Sequence, residues 1–366
     1  MDLDSILNSY KVNGILVVTG GMSFETCGAK AILKKCLSKY KVTYFSDFEV
    51  NPRLIDAIKG AYLAIKENIN LIIGIGGGSV LDMAKLVKAI YLSPDDAENI
   101  ARGLSKVIDP QIPLIAIPTT AGSGSEATHF AVTYIGDEKY SVTDNALLPN
   151  VVILDSKLLH SASKYQKACN VLDAISQSIE SAWAIDSTDE SRQLSFQALT
   201  LCINNFVEYV NSKNNHIAAE AMITASNLAG QAINISKTTA AHSWSYGFTK
   251  KIGIPHGHAV WFTLPEIFEI HARLDSYAIR DPRGPKHLAK VIEKLTKILK
   301  KPLKQDFLVF FKNMLNSISI SADIESDFKI SKEKRLYLSK NINQERMKNN
   351  PIIFNQFDIN KIFKLI

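Results

Sequence analysis

In the first 155 residues, short β-branched runs alternate with longer amphipathic stretches, and this alternation leaves the chain few architectures to choose from. GILVVTG, KVTYFS, NLIIGIG, PLIAIPTT and NVVILD read as buried strands, while the stretch up to about Tyr40 and that from Pro52 to Glu67 read as helices. Parallel strands need a crossover of about a dozen residues or more, which a helix supplies. The pattern predicts βαβ units and a Rossmann-like parallel sheet. From about Ser161 the β-branched clusters thin out, and ESRQLSFQALTLCINNFVEYVN (190–211) and AEAMITASNLAGQAINI (219–235) repeat apolar residues at helical spacing. A chain of 366 residues suits two domains. The expected division is an α/β domain over 1–160 and an all-helical domain over 161–366, its tail ending in short helices around an Asn-Pro turn at 350–351.

Charge and patterning exclude several functions. Forty-two basic against 36 acidic side chains give a mild +6, with no basic stripe interleaved with aromatics, so no nucleic acid partner is expected. No run of about 18 apolar residues and no charged-then-apolar leader occurs, which predicts a cytoplasmic protein without a membrane span. Cys27, Cys36, Cys169 and Cys202 form no CxxC pair and read as buried thiols.

Two loops after the apolar strands concentrate glycine and hydroxyl groups. NLIIGIGGGSVLDMAKLVKAI reads as a strand, then Gly76, Gly77 and Gly78, then a helix opening near Ser79. Glycine admits close backbone approach, and the free amides and dipole of a helix N-terminus hold anions. Ser79 can cap that helix or donate to a phosphate, and Asp82 favours the same terminus. IPTTAGSGSEAT (117–128) follows the next strand and gathers Thr119, Thr120 and Ser123. Any strand-to-helix turn uses Gly, Ser and Thr, but two such loops in succession point to a ligand outside the strands' carboxyl ends. The first is not a GxGxxG fingerprint.

Farther on, Asp173 and Gln177 lie four residues apart on a predicted helix and face one way. His242 and His256 flank the turn-like GFTKKIGIP, and three of the chain's eight histidines fall within 237–260. A lone Asp is usually a cap and a lone His usually a core group. An Asp with two neutral histidines, however, makes an N₂O set for Fe²⁺, Zn²⁺ or another first-row ion.

Taken together, GGGSVLDMAK, PTTAGSGSEAT and the Pro-His-Gly run at 255–257 resemble the iron-containing (group III) alcohol dehydrogenase family over nearly the whole chain. The resemblance implies an NAD(P)-binding α/β domain and a metal-binding helical domain, the architecture shared with dehydroquinate synthase-like enzymes. It places metal ligands at Asp173, His242 and His256, and also at Gln177, where the family has a histidine. The metal would be Fe²⁺, or Zn²⁺ or Mn²⁺. Cofactor contacts fall on Gly20, Gly76, Gly77, Gly78, Ser79, Asp82, Thr119, Thr120 and Ser123, and on the lysine of the Lys139–Tyr140 step. Gly20 stands where NAD-preferring members carry an aspartate that repels a 2′-phosphate, so NADPH or NADH is expected. Tyr246 replaces a histidine that relays protons in many members. A homodimer is implied.

DAxxQxIES, AINxxKTTAAHxxSY and GIPHGHAV look most like the phosphonoacetaldehyde reductase subgroup, which forms 2-hydroxyethylphosphonate in phosphonate biosynthesis. In that reading hydride passes from the nicotinamide to an aldehyde carbon while the metal polarises the carbonyl oxygen. Lys237, five residues before His242, would read the anionic group of a small-molecule substrate. Tyr246, His258 or a water chain would deliver the proton. The alternatives are a general alcohol or diol dehydrogenase for a neutral substrate such as lactaldehyde, a dehydroquinate synthase-like lyase that recycles NAD, and a binding protein with a degraded metal site.

Overall fold

The computed structural model describes residues 3–273, 278–302 and 305–366. The chain divides into two compact units, Met1–Ala162 and Ser163–Ile366.

In the first unit, β1 (Ile15–Thr19), β2 (Val42–Phe45), β3 (Leu71–Gly76), β4 (Leu114–Pro118) and β7 (Val151–Val152) form a parallel sheet in the order β2-β1-β3-β4-β7. Side chains alternate between its faces. Leu16, Val18, Ile72 and Leu114 join the helices Leu54–Lys66 and Gly78–Ala89 in one core, while Ile15, Val17, Leu71, Ile73 and Ile115 join Leu3–Asn8 and Ala29–Cys36 in another. A sheet covered on both sides needs apolar residues at every position, which is why its strands read as continuous apolar runs. β1 has β2 on one side and β3 on the other, so the strand order reverses there. The crevice outside the carboxyl ends of β1 and β3 is the switch point at which such sheets bind ligands, and Gly20 and Gly76 stand at those ends.

All five expected strands are present. The antiparallel hairpin of β5 (Phe130–Ile135) and β6 (Glu138–Thr143) was not expected. It turns on Gly136-Asp137, with Gly136 at φ +59°, a two-residue hairpin signal present in the sequence. A second correction concerns the glycine loop. The helix opens at Gly78 with Gly77 as its N-cap, so Ser79 lies inside the first turn and does not cap it.

The second unit is helical, and its one strand-like feature among the described residues is an isolated bridge between Ile279 and Ile352. Lys164–Trp183 begins at a capping box made by Ser163 and Gln166, and it packs with Asp189–Asn211 and His216–Ser236. Ala240–Ile252, His256–Val260 and Leu264–Ala272 follow, and the tail includes Ile324–Asp327, Lys332–Lys340, Gln344–Lys348 and Gln356–Ile362. Three buried tryptophans satisfy their indole N–H groups at Thr239 Oγ1 (2.9 Å, Trp183), the Ser339 carbonyl (3.1 Å, Trp244) and the Leu172 carbonyl (2.9 Å, Trp261). No described helix is long and apolar enough to cross a membrane. Cys169 and Cys202 are buried as expected, whereas Cys27 and Cys36 are only partly covered because they lie on short surface segments.

Candidate metal centre and dinucleotide loops

The helix Lys164–Trp183 is buried along most of its length and carries Asp173, Gln177 and Glu180 at successive turns of one face. Ala240–Ile252 brings His242 in within its first turn. Gly253, at φ +81°, stops that helix in a left-handed cap, and Pro255 leads into His256–Val260, whose first residue is His256. Fourteen residues of sequence therefore fold back so that both imidazoles meet one carboxylate. Asp173 Oδ1 lies 3.3 Å from His242 Nε2 and 4.0 Å from His256 Nε2. One donor atom from each of the three lies within 4.8 Å of the others.

Gly257 makes this approach feasible. A Cβ there would fall 2.0 Å from the Cys169 carbonyl oxygen and 2.8 Å from the Asp173 nitrogen, so the two backbones are in contact at Asp173, a member of the candidate metal cluster.

Sequence reasoning missed Glu180. Its fully buried carboxylate accepts hydrogen bonds from Thr239 Oγ1 (2.7 Å), the Ala241 backbone N–H (2.8 Å) and His242 Nδ1. This fixes the tautomer and turns His242 Nε2 toward Asp173, as carboxylates behind metal-binding histidines do. Burial alone would disfavour charge on both groups, yet the carboxylates of Glu180 and Asp173 hold His242 up at about 9, and His242 in turn keeps Glu180 below the usual carboxylate range. Two carboxylates around one imidazole make a site that attracts a cation. The signal for Glu180 was its place two turns after Asp173 in DAISQSIES.

Tyr246 is one turn beyond His242, and its ring lies nearly parallel to that of His256, with centroids 5.9 Å apart and 15° between planes. Its hydroxyl is hydrogen-bonded to Arg346, and burial pushes the phenol up. Gln177 is buried between Asp173 and Glu180 on the same helix. Two other predicted residues are engaged elsewhere. Lys237, at φ +59° after the helix His216–Ser236, pairs its ammonium with Glu345. His258 Nδ1 meets the Tyr165 hydroxyl at 3.0 Å and is not brought into the cluster, because residues two apart on a helix face different directions.

In the first unit, Gly20 lines a cavity of about 470 Å³ with Thr19, Met22, Tyr44, Ser46 and the ion pair Lys30–Glu25 (2.5 Å). The two glycine loops touch. The Thr119 N–H donates to the Gly76 carbonyl at 2.9 Å, a Cβ on Gly77 would lie 3.4 Å from Thr120, and one on Gly78 would lie 2.7 Å from Ser123 Oγ. No side chain caps the helix at Gly77, which suits its amides to a phosphate. Asp82 does not face that terminus as expected. One of its oxygens accepts from Ser125 Oγ (2.5 Å) and the other from the Val132 N–H (3.1 Å), so it ties the second loop to β5. Ser79 Oγ accepts from the Asn51 N–H at 3.4 Å. The Lys139–Tyr140 step lies on β6, where Arg102 donates to the Tyr140 hydroxyl at 2.6 Å.

The buried Lys85 completes the bracing of the second loop. Its Nζ donates to the Ser125 carbonyl (2.5 Å), Thr128 Oγ1 (2.8 Å) and the Phe130 carbonyl (3.0 Å). Burial pulls the ammonium down to about 8 against the attraction of Asp82 and Glu126. Lys85→Met is expected to cost about 3 kcal/mol in urea unfolding, since buried acceptors lose their donor. A loss below about 1 kcal/mol would mean that the loop is braced by other contacts.

A parallel sheet with glycine loops at its switch point and a helical unit holding an Asp-His-His cluster define a class of dinucleotide- and metal-dependent architecture. Residues 1–156 match the iron-containing alcohol dehydrogenase family, and residues 167–366 match the C-terminal region of the Fe-containing alcohol dehydrogenase family. The chain belongs to the iron-containing alcohol dehydrogenase family. It is 30% identical over 257 residues to the phosphonoacetaldehyde reductase of Streptomyces viridochromogenes, covering 68% of this chain and 65% of that protein. It is 32% identical over 202 residues to the probable alcohol dehydrogenase EutG of Escherichia coli, covering 55% and 51%. The match thus spans between half and two thirds of the length of these relatives. An iron-containing alcohol dehydrogenase from Thermotoga maritima superposes with a TM-score of 0.80 at 25% identity, covering 96% of this chain and 91% of the other. The sulfoacetaldehyde reductase of Bifidobacterium kashiwanohense in complex with NAD⁺ shares the fold, with a TM-score of 0.85 at 24% identity and coverage of 99% and 93%.

Proposed function

We propose that this protein is a metal- and NAD(P)H-dependent reductase of a small anionic aldehyde, phosphonoacetaldehyde being the favoured substrate and 2-hydroxyethylphosphonate the product. The observation that carries the reductase reading is the Asp173, His242 and His256 cluster with Glu180 fixing the His242 tautomer. The anionic substrate is supported by the similarity to a phosphonoacetaldehyde reductase. A homodimer working in the cytoplasm in phosphonate biosynthesis is the setting this reading implies.

Asp173, His242 and His256 would hold the ion, Fe²⁺ or else Zn²⁺ or Mn²⁺, and Gln177 stands on the same helix face as a neutral fourth donor. When bound, the ion supplies Lewis acidity at the aldehyde oxygen and the nicotinamide supplies the hydride. The chain supplies the rest. Glu180 keeps the Nε2 lone pair of His242 available. Tyr246, protonated because its burial raises its pKa, stands against His256 and is the group placed to give the alcohol its proton. Gly20 adds no carboxylate to its cavity, and Lys30 neutralises Glu25 there, so a 2′-phosphate meets no net repulsion and both NADPH and NADH are accepted.

The deciding assay follows NADPH and NADH oxidation by metal-reconstituted protein with phosphonoacetaldehyde or lactaldehyde. A kcat/KM at least about tenfold higher for the phosphonate is expected, equivalent to about 1.4 kcal/mol of discrimination, and chelation should remove the activity. Equal or reversed rates would return the protein to general aldehyde reduction. The lyase and degraded-site readings would gain if neither aldehyde were reduced.

A further inference from the structure

We infer that Arg346 receives the anionic end of the substrate, the part that sequence reasoning had given to Lys237. This rests on the reduction of an anionic aldehyde proposed above.

Arg346 belongs to the short helix Gln344–Lys348, which packs on Ala240–Ile252, the helix that carries His242 and Tyr246. Both ends of the short helix are clipped to the segment around the metal ligand. At its start, Asn343 caps the helix by accepting the Arg346 N–H (2.9 Å), and the Asn343 carbonyl accepts from Ser243 Oγ (2.8 Å), next in chain to His242. At its end, the Asn349 amide donates to the carbonyls of Ser236 (2.7 Å) and Thr238 (3.0 Å). A helix of five residues has little stability of its own, so these clips set where the arginine sits.

The side chain is buried, at 8% exposure, which is uncommon for arginine unless its donors find partners. It bonds to Tyr246, whose ring lies on His256. A guanidinium only donates, so Tyr246 accepts from it and keeps its own hydroxyl hydrogen to give. The five N–H donors of the planar fork match the oxygens of a phosphonate, sulfonate or carboxylate better than an ammonium does. Glu345, beside Arg346 in the chain, is engaged by Lys237, which leaves that lysine's charge spent on an intramolecular partner. A two-carbon aldehyde with its carbonyl at the Asp-His-His cluster has its anionic group about one side chain away. Arg346 stands beyond His256 by the width of the Tyr246 side chain, which stacks on one and is hydrogen-bonded to the other.

The test compares wild type, Arg346→Gln and Arg346→Lys as metal-loaded enzymes, with kcat and KM measured separately for phosphonoacetaldehyde and lactaldehyde. Binding of 2-hydroxyethylphosphonate is followed by tryptophan fluorescence. For R346Q the phosphonate-to-lactaldehyde ratio of kcat/KM should fall about tenfold, mostly through KM, with a matching loss of product affinity, as expected when a charge-assisted hydrogen bond is removed. If wild type prefers the phosphonate and R346Q keeps both the preference and the KM, the assignment of Arg346 is wrong while the reductase reading stands. If wild type shows no preference, the anionic-substrate reading fails first. Should R346Q not fold, R346K retains the charge without the fork. A severalfold rise in its phosphonate KM supports the assignment, and an unchanged KM overturns it.

Discussion

Gly257→Ala is expected to strip the protein of its metal and to lower kcat/KM by about 100-fold or more, although the added group is a single methyl. The new Cβ would lie 2.0 Å from the Cys169 carbonyl oxygen and 2.8 Å from the Asp173 nitrogen, and neither backbone atom can rotate away as a side chain would. The helix Lys164–Trp183 is enclosed along most of its length. The shorter segment His256–Val260 is therefore the one to yield, by about 1 Å or more to restore ordinary contact. His256 opens that segment, so the displacement falls on a member of the Asp-His-His cluster. Metal content after gel filtration, measured with kcat/KM and circular dichroism, reads the effect. Full metal occupancy and an unchanged rate in a folded G257A protein would show that the contact does not set the ligand geometry.

The same contact explains what the sequence disclosed and what it withheld. A buried parallel strand must be apolar throughout and a helical crossover must be periodic, so NLIIGIG and the stretch from Pro52 to Glu67 announced themselves. Asp173, His242 and His256 were legible because each sits in a distinctive local setting, and the structure brings them together. Glu180 was not, since an acid inside SQSIESAW looks like a solvated helix face until the chain 59 to 62 residues later wraps Thr239, Ala241 and His242 around it. Asp82 erred in the opposite direction. One turn into a helix it resembles a partner for the dipole, but Ser125 and Val132, more than 40 residues away, claim both of its oxygens. Lys237 and Arg346 show the same limit, because which basic side chain is taken by Glu345 and which reaches Tyr246 depends on where the short tail helix docks.

Glu180→Gln tests whether the carboxylate behind His242 governs the metal site, and it should weaken metal binding by about 100-fold, the upper end of what such outer partners contribute. The substitution keeps size and shape, so packing around this fully buried position is preserved. A glutamine carbonyl can still accept from Thr239 Oγ1 and the Ala241 N–H, the pair now served by Oε1. The atom facing His242 Nδ1 then becomes an amide N–H₂, which donates instead of accepting. Nδ1 must give up its hydrogen to accept that bond, and the proton moves to Nε2, the nitrogen aimed at Asp173. An N–H cannot ligate, so metal entry would require either a buried donor-to-donor contact or rotation of the amide away from Thr239 and Ala241, both costly in a dry site. Chelator competition gives the metal affinity of E180Q, and ¹⁵N chemical shifts of His242 in the Zn²⁺-loaded protein, where the ring is neutral, report the tautomer. A dissociation constant within twofold of wild type, or an Nδ1–H tautomer retained in the variant, would mean that Glu180 serves packing alone.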